Sequence, residues 1–381
     1  MSQQIHPKNL LENNKVLTIL KFKVHTRGGL EKYMDRICSI FSQKGWTILI
    51  ISTSVPLIQN PDYLYIQAKT FGPSFLKFWQ FDRFCKKFKK RNPTYTFFGL
   101  ERNSSQHFIR SGGGVHKAYL QSRKATDSFW KQLSFKINPL HQILLFIEKK
   151  SLKDPSLKKV IVNSHMIKKQ YLEHYPILSD KLKVIHNGVE WNELNSSFEE
   201  SKELKASDIH EFIFIGNGYK RKGLIPLLYS LANISEKFHL TIIGKDKRIN
   251  FFKKIAKQLG LTNKVSFLGS QKNIIPYLQK AHTLVLPSYY DPFANVTIEA
   301  LAMGLFVITS AFNGGKEIIT EENGIILPKS MDLHEMTNAI KKALKNPKTA
   351  NFSTQIRNSV RQYDFSNQLK QYIELIENES L

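Results

Sequence analysis

Two carboxylates and a run of cations in the second half of the chain are the residues whose types and spacing best suit chemistry. Asp291 and Glu299 stand with seven residues between them in Leu286-Pro287-Ser288-Tyr289-Tyr290-Asp291-Pro292-Phe293-Ala294-Asn295-Val296-Thr297-Ile298-Glu299-Ala300-Leu301-Ala302-Met303-Gly304. An apolar strand-like run ends at Leu286, and a helix begins near Asn295. The first backbone N–H groups of a helix have no partner within it, so those of Asn295, Val296 and Thr297 could face a phosphate. Glu299 falls about one turn into that helix, where a carboxylate can accept both hydroxyls of a ribose. The plainer alternative is a pair of acids placed favourably in the helix dipole.

Lys220, Arg221 and Lys222 follow another strand-like run, ending at Ile215, and are bracketed by Gly216, Gly218 and Gly223. Arg and Lys held in place can stabilise the charge that develops on a departing diphosphate without a metal. A solvated basic turn has the same composition. Position favours the first reading, because ligands of open α/β sheets sit at the carboxyl ends of strands. Arg27-Gly28-Gly29-Leu30-Glu31 is a third strand-to-helix turn. Gly28 and Gly29 would let an anion approach the backbone closely, and a plain glycine turn is equally consistent.

Elements that could position these groups alternate along the chain. Short β-branched runs read as strands at 16–22, 48–52, 63–66, 94–98, 160–163, 182–185, 212–215, 240–243, 265–268, 283–286, 306–309 and 325–327. Several are continuously apolar, as strands covered on both faces must be, and helical patterns lie between them. This rhythm predicts an α/β fold, doubly wound. A chain of 381 residues has room for two domains. The polar stretch from Glu190 to Asp208 reads as a linker or insertion between them.

Composition narrows the classes further. Hydrophobic residues make up 41%, enough for a real core. No run approaches the ~18 apolar residues of a membrane-spanning helix. The first fourteen residues show no secretory pattern, which predicts a cytoplasmic chain. Cys38 and Cys85 sit in apolar helical patterns and read as buried free thiols. No CxxC, HExxH or His/Cys cluster suggests a metal. The net charge of +25, from 56 Lys plus Arg against 31 Asp plus Glu, predicts attraction to a polyanion: nucleic acid, anionic lipid or a phosphorylated substrate. A lysine-rich codon bias would produce the same excess. Ser74 to Arg91, SFLKFWQFDRFCKKFKKR, would form a helix with an aromatic face beside a cationic one. Such helices lie in the interface of anionic membranes, the reading favoured here over the plainer one in which the aromatics pack on the sheet.

Taken in order, these segments resemble a family. Asp291 and Glu299 look like the E-x7-E signature of retaining glycosyltransferases of family 4, which have the GT-B fold, with Asp in place of the first Glu. Val160-Ile161-Val162-Asn163-Ser164, Val184-Ile185-His186-Asn187-Gly188-Val189, Phe214-Ile215-Gly216 through Lys222-Gly223, Ile243-Gly244-Lys245-Asp246, Phe267-Leu268-Gly269 and Asn313-Gly314-Gly315-Lys316-Glu317 also match. The resemblance covers nearly the whole chain. Ile109-Arg110-Ser111-Gly112-Gly113-Gly114-Val115-His116-Lys117-Ala118-Tyr119-Leu120 and Asp291-Pro292-Phe293-Ala294-Asn295-Val296-Thr297 look closest to lipopolysaccharide-core glucosyltransferases.

The resemblance implies two Rossmann-like domains facing across a cleft, residues 1–190 on the acceptor side and 191–364 binding a nucleotide-sugar. A C-terminal helix within 365–381 would cross back to the first. It implies that Glu299 binds the ribose and Asp291 the transferred sugar. Arg221 and Lys222 would hold the diphosphate, helped by Gly28, Gly29, Asn295, Val296 and Thr297. The base would lie near Ser270 and Lys272, and either His107 or His116 would face the anomeric carbon. The implied reaction moves a hexose, glucose from a UDP-sugar, onto a lipid-linked glycan, with neither metal nor cofactor. The enzyme would be peripheral on the inner face of the cytoplasmic membrane, with an anionic membrane surface as partner and no nucleic acid. A soluble glycan acceptor, or a nucleic-acid-binding protein, is the alternative.

Overall fold

The computed structural model describes residues 15–24, 29–56, 59–125, 127–203, 208–328, 332–346 and 348–380. They form two compact units. The first runs to Val162 and takes in Ile167–Ile185 and the chain from Leu369 onward; the second comprises Asn163–Met166 and His186–Gln368.

Continuously apolar runs become buried parallel strands. The first unit contains β1 (Val16–Leu20), β2 (Thr47–Ser52), β3 (Tyr63–Gln67), β4 (Thr96–Gly99), β5 (Phe108–Ser111), β6 (Lys159–Val162) and β7 (Leu182–Val184). The second contains β8 (His210–Ile215), β9 (Phe238–Ile243), β10 (Val265–Gly269), β11 (Thr283–Leu286), β12 (Phe306–Ser310) and β13 (Gly324–Leu327). The sheets run β3-β2-β1-β4-β5-β6-β7 and β10-β9-β8-β11-β12-β13, and each reverses its order once, beside β1 and beside β8. Strand pairs along both are parallel, for example Leu17 opposite Ile48 and Val285 opposite Ile308. This is the Rossmann arrangement twice over. β5 is the strand that the sequence pattern missed. It is only four residues long and carries Arg110 and Ser111, yet it lies between β4 and β6.

Helices fill the crossovers: α1 (Gly29–Gln43), α2 (Ser74–Arg91), α3 (His116–Ser122), α4 (Phe129–Ile137), α5 (Pro139–Ser151), α6 (His165–His174), α7 (Asn195–Glu203), α8 (Leu224–Leu231), α9 (Ile249–Gln258), α10 (Ile275–Lys280), α11 (Asn295–Ala302), α12 (Leu333–Leu344), α13 (Ala350–Ser359) and α14 (Phe365–Ser380). From Leu369 on, α14 belongs to the first unit. There Tyr372 packs edge-on to Tyr33 at 5.3 Å, and Glu377 pairs with Lys44 at 3.0 Å.

Two expectations change. The polar stretch after Glu190 is no bare linker, because it holds α7, whose Phe198 is buried under the Arg357 guanidinium at 4.6 Å. The aromatics of α2 are largely core. Phe81 and Cys85 are buried, Phe84 and Phe88 pack against the same cluster, and Phe78 stacks on Phe22 at 3.9 Å. An aromatic helix beside a sheet gains more by burying its rings there than by leaving them in water. Both cysteines are buried and free, and burial pushes both thiols up.

A candidate active site at the switch point of the second sheet

Where a sheet reverses its order, the loops leaving the two adjacent strands diverge and open a crevice at their carboxyl ends. In the second sheet the loops at that point are Gly216–Gly223 after β8 and Pro287–Ala294 after β11. The first turns tightly. Gly223 has φ 83°, and a Cβ there would lie 2.1 Å from the Pro287 carbonyl oxygen, so only glycine lets the loops touch. Tyr289 N–H then donates to the Arg221 carbonyl at 2.8 Å.

This interlock brings together residues 69 and 70 positions apart. Lys222 Nζ donates to Asp291 Oδ2 at 2.5 Å, and both residues are buried. Arg221 Nη1 donates to the Tyr290 carbonyl at 2.7 Å and lies 3.4 Å from Asp291 Oδ2. Its side chain is less buried than that of Lys222. Two cations thus face one carboxylate, leaving a net positive charge at the strand ends. α11 starts directly after, adding the positive end of its dipole.

Asn313, in the loop after β12, holds the second loop in place and received no role in the sequence reading. It is completely buried. Its Oδ1 accepts from Ala294 N–H at 3.2 Å and Gly315 N–H at 3.0 Å, and its Nδ2 donates to Thr297 Oγ1 at 3.2 Å and Thr309 Oγ1 at 2.9 Å. Asp291 N–H donates to the Phe312 carbonyl, and its own carbonyl accepts from Gly314 N–H. An amide before two glycines was the available signal. Asp246 does similar work for the first loop, accepting from Tyr219 N–H at 2.8 Å.

The helix start differs in one detail. Thr297 N–H donates to the Ala294 carbonyl at 2.9 Å, so this donor is already engaged. Asn295 is exposed, and its Oδ1 accepts from Asn187 Nδ2 at 2.7 Å; Val296 is buried beside it. Glu299 is half-buried on α11. Ser270 and Lys272 are exposed just past the carboxyl end of β10. Gly28 lies outside the described residues, and Gly29 is the first residue of α1.

The two histidines belong to the first unit and sit at opposite ends of β5. His107 precedes it, its Nδ1 accepting from Phe97 N–H at 3.2 Å. Burial, then Lys89 and Lys158, lower it to about 4. His116 opens α3, beyond the carboxyl end of β5, with its N–H donating to Glu148 Oε2 at 2.9 Å and its Nε2 3.2 Å from His141 Nδ1. Burial, then Arg102 and His141, lower it to about 3. Both rings are neutral near pH 7.

A further carboxylate of the second unit has a fixed duty. Glu317 accepts from the N–H groups of His165 and Met166, each at 2.8 Å, and lies 2.9 Å from His186 Nε2. Burial alone would raise its carboxyl, but these hydrogen bonds outweigh burial and hold it below the usual range.

A family model described as glycosyl transferases group 1 matches residues 195–362, the stretch that carries both interlocked loops. The match takes in most of the second unit. The uncharacterized glycosyltransferase MJ1607 of Methanocaldococcus jannaschii is 33% identical over 187 residues, 46% of this chain and 48% of that protein. The lipopolysaccharide glucosyltransferase WaaG of Escherichia coli is 27% identical over 135 residues, 34% of this chain and 36% of that one. Each match thus spans less than half of the relative's length. The crystal structure of WaaG aligns over 94% of this chain and 99% of that chain, with TM-score 0.78 and 18% identity. Anabaena HepE, solved in complex with UDP and glucose, aligns over 96% and 99% with TM-score 0.67 and 17% identity. The fold is therefore GT-B. Arg221, Lys222, Asp291 and Glu299 lie in the second unit, and His107 and His116 lie in the first.

Proposed function

We propose that this protein is a retaining, metal-independent glycosyltransferase that moves a hexose, glucose from UDP-glucose, onto a lipid-linked glycan such as a lipopolysaccharide core. The observation that carries the reading is the Arg221–Lys222–Asp291 interlock at the switch point, beside the start of α11. Similarity to WaaG supports the acceptor class, and likeness of fold to HepE in complex with UDP and glucose supports the donor.

The mechanism follows from charge. Breaking the bond between the anomeric carbon and the diphosphate leaves an oxocarbenium-like centre and an anion. Arg221 and Lys222 hold that anion, Lys222 sharing its protons between Asp291 and the diphosphate. The N–H groups of Asn295 and Val296 serve the same oxygens, since that of Thr297 is engaged. Glu299 accepts the ribose hydroxyls, Asp291 the sugar hydroxyls, and the base rests near Ser270 and Lys272. The acceptor hydroxyl attacks on the face the diphosphate leaves, where the departing oxygen is the base at hand for its proton. Of the two histidines that the reading offers for the anomeric carbon, His116 is the one beyond the carboxyl end of a strand, which favours it over His107.

Mass spectrometry of products from a panel of nucleotide sugars tests the reading, with UDP-glucose expected to be consumed and chelators to leave turnover unchanged. Turnover that EDTA abolishes and a divalent ion restores would end the metal-free mechanism. No transfer from any donor would end the reading itself.

A further inference from the structure

Three side chains that the transfer reading leaves unused meet in the second unit. His165 is the first residue of α6, His186 follows shortly after β7, and Glu317 lies in the short 3-10 turn Gly314–Ile318 after β12. All three belong to the second unit. One ring nitrogen of each histidine and one carboxylate oxygen of Glu317 lie within 4.8 Å of one another. No local motif announces this, because Glu317 stands 152 residues from His165 and 131 from His186. The scaffold around them is tight. A Cβ at Gly314 would collide with the Pro292 carbonyl and with Ser164 Oγ, and that hydroxyl donates to the same carbonyl at 2.8 Å. The His186 ring lies against Phe293 and edge-on to Tyr363, with centroids 6.0 and 5.6 Å away. His165 is exposed, so its ring has room to turn.

Two imidazole nitrogens and a carboxylate oxygen are the donor set of a borderline cation such as zinc, not of magnesium or calcium, which take oxygen alone. Ligand atoms on one tetrahedral zinc stand about 3.3 Å apart, from bonds of about 2.0 Å. His186 Nε2 and Glu317 Oε2 are already 2.9 Å apart, and a turn of the exposed His165 ring brings in the third atom. Each carboxylate oxygen has two lone pairs, and the one on Oε2 that now faces His186 would pass to the metal, displacing the proton between them. The N–H groups of His165 and Met166 hold Glu317 from behind, as the outer partners of metal-bound carboxylates do. We infer that His165, His186 and Glu317 bind a divalent transition-metal ion of the zinc class, with water completing its shell. None of the three is among the groups assigned to the diphosphate, the ribose or the sugar. The ion therefore cross-links the start of α6, the segment after β7 and the turn that carries Gly314, whose N–H holds the Asp291 carbonyl, and it takes no part in transfer. The inference does not rest on the transfer reaction.

Calorimetric titration of zinc chloride into the untagged, chelator-stripped chain tests it, with magnesium chloride as the control. The wild type should bind one zinc tightly and no magnesium, and zinc should raise its unfolding temperature by at least about 2 °C. His165→Ala, whose ring is exposed, should keep its circular dichroism and weaken zinc binding at least about tenfold. Glu317→Gln, which keeps the size of the side chain and removes its charge, should weaken binding as well. His334→Ala, at an exposed histidine on α12, should bind like the wild type. Equal zinc affinity in His165→Ala and the wild type would mean adventitious binding by scattered surface histidines and would overturn the inference. So would equal binding of magnesium, or no zinc binding at all. Neither readout uses turnover, so failure of this site and failure of the transfer reading give different results.

Discussion

Each sheet reverses its strand order once, and each places a lysine–carboxylate pair at that point, but the two pairs are built differently. In the first unit Lys21 directly follows β1 and its Nζ donates at 2.6 Å to Glu31, in the first turn of α1. The partners are ten residues apart on one strand–loop–helix connection, and both are buried. In the second unit Lys222 and Asp291 come from two different crossovers, with Arg221 beside them at the edge of solvent. A pair closed within one connection fastens that connection. A pair that bridges two loops and keeps a third, less buried cation next to it has charge left over for a ligand. The same fold thus uses one kind of contact for packing in one unit and for a candidate anion site in the other.

The largest effect should come from breaking the first pair. Glu31→Ala leaves the Lys21 ammonium buried without its partner and should cost about 3–5 kcal/mol in urea unfolding. Lys21→Met/Glu31→Leu, which removes both charges, should recover most of that loss. A double variant as unstable as the single would show that the pair is not what fastens β1 to α1.

Next in size is the second pair. Arg221→Ala and Lys222→Ala should each lower kcat at least about 10²-fold, the scale of losing one preorganised charge donor. Arg221→Ala should shift stability little, since its group reaches solvent. If Arg221→Ala instead unfolds the protein and leaves the turnover of the surviving fraction intact, both switch points are structural and the contrast fails.

Asn313→Ala should be smaller, about 1–3 kcal/mol of stability, from partners left unsatisfied in a buried site. Turnover should fall with it, because the loop bearing Asp291 loosens. Asn313→Asp, which retains an acceptor for Ala294 and Gly315, should lose less, as read by thermal unfolding and kcat together.

The smallest effect is the acid limb of stability, which both units should share. His107 and His282 are lowered to about 4, and His116 and His210 to about 3, with burial the leading cause for each. Folded, these rings stay neutral well below the usual histidine value of about 6.5. The unfolded chain takes up protons as pH drops past that value, so stability should be level above about pH 7 and decline between about 6.5 and 4. Urea midpoints across this range should show the decline, and His210→Phe should make it shallower. A flat profile would mean these rings titrate normally in the folded state.

The fold was legible where local chemistry and burial agree. Runs such as Val16–Leu20 and Thr283–Leu286 are β-branched or aliphatic at every position and buried at every position, as a strand covered on both faces requires, and their alternation with helical patterns predicted a doubly wound α/β fold. Fold class, the glycine turns and the two acids of the 291–299 segment could therefore be read from the chain alone. What could not be read depends on partners distant in sequence. β5 carries Arg110 and Ser111 where an apolar run would be expected, and its place between β4 and β6 is what makes it a strand. α2 showed its aromatic face in the sequence, but only the adjacent Phe22 and sheet decide that this face is core. α4 also mixes apolar and basic residues, and only the exposure of Phe129, Trp130 and Ile137 makes it a surface. Lys222 and Asp291 are each ordinary loop residues until two crossovers meet at the reversal of a sheet, because pairing across 69 positions is settled by strand order and not by any local preference.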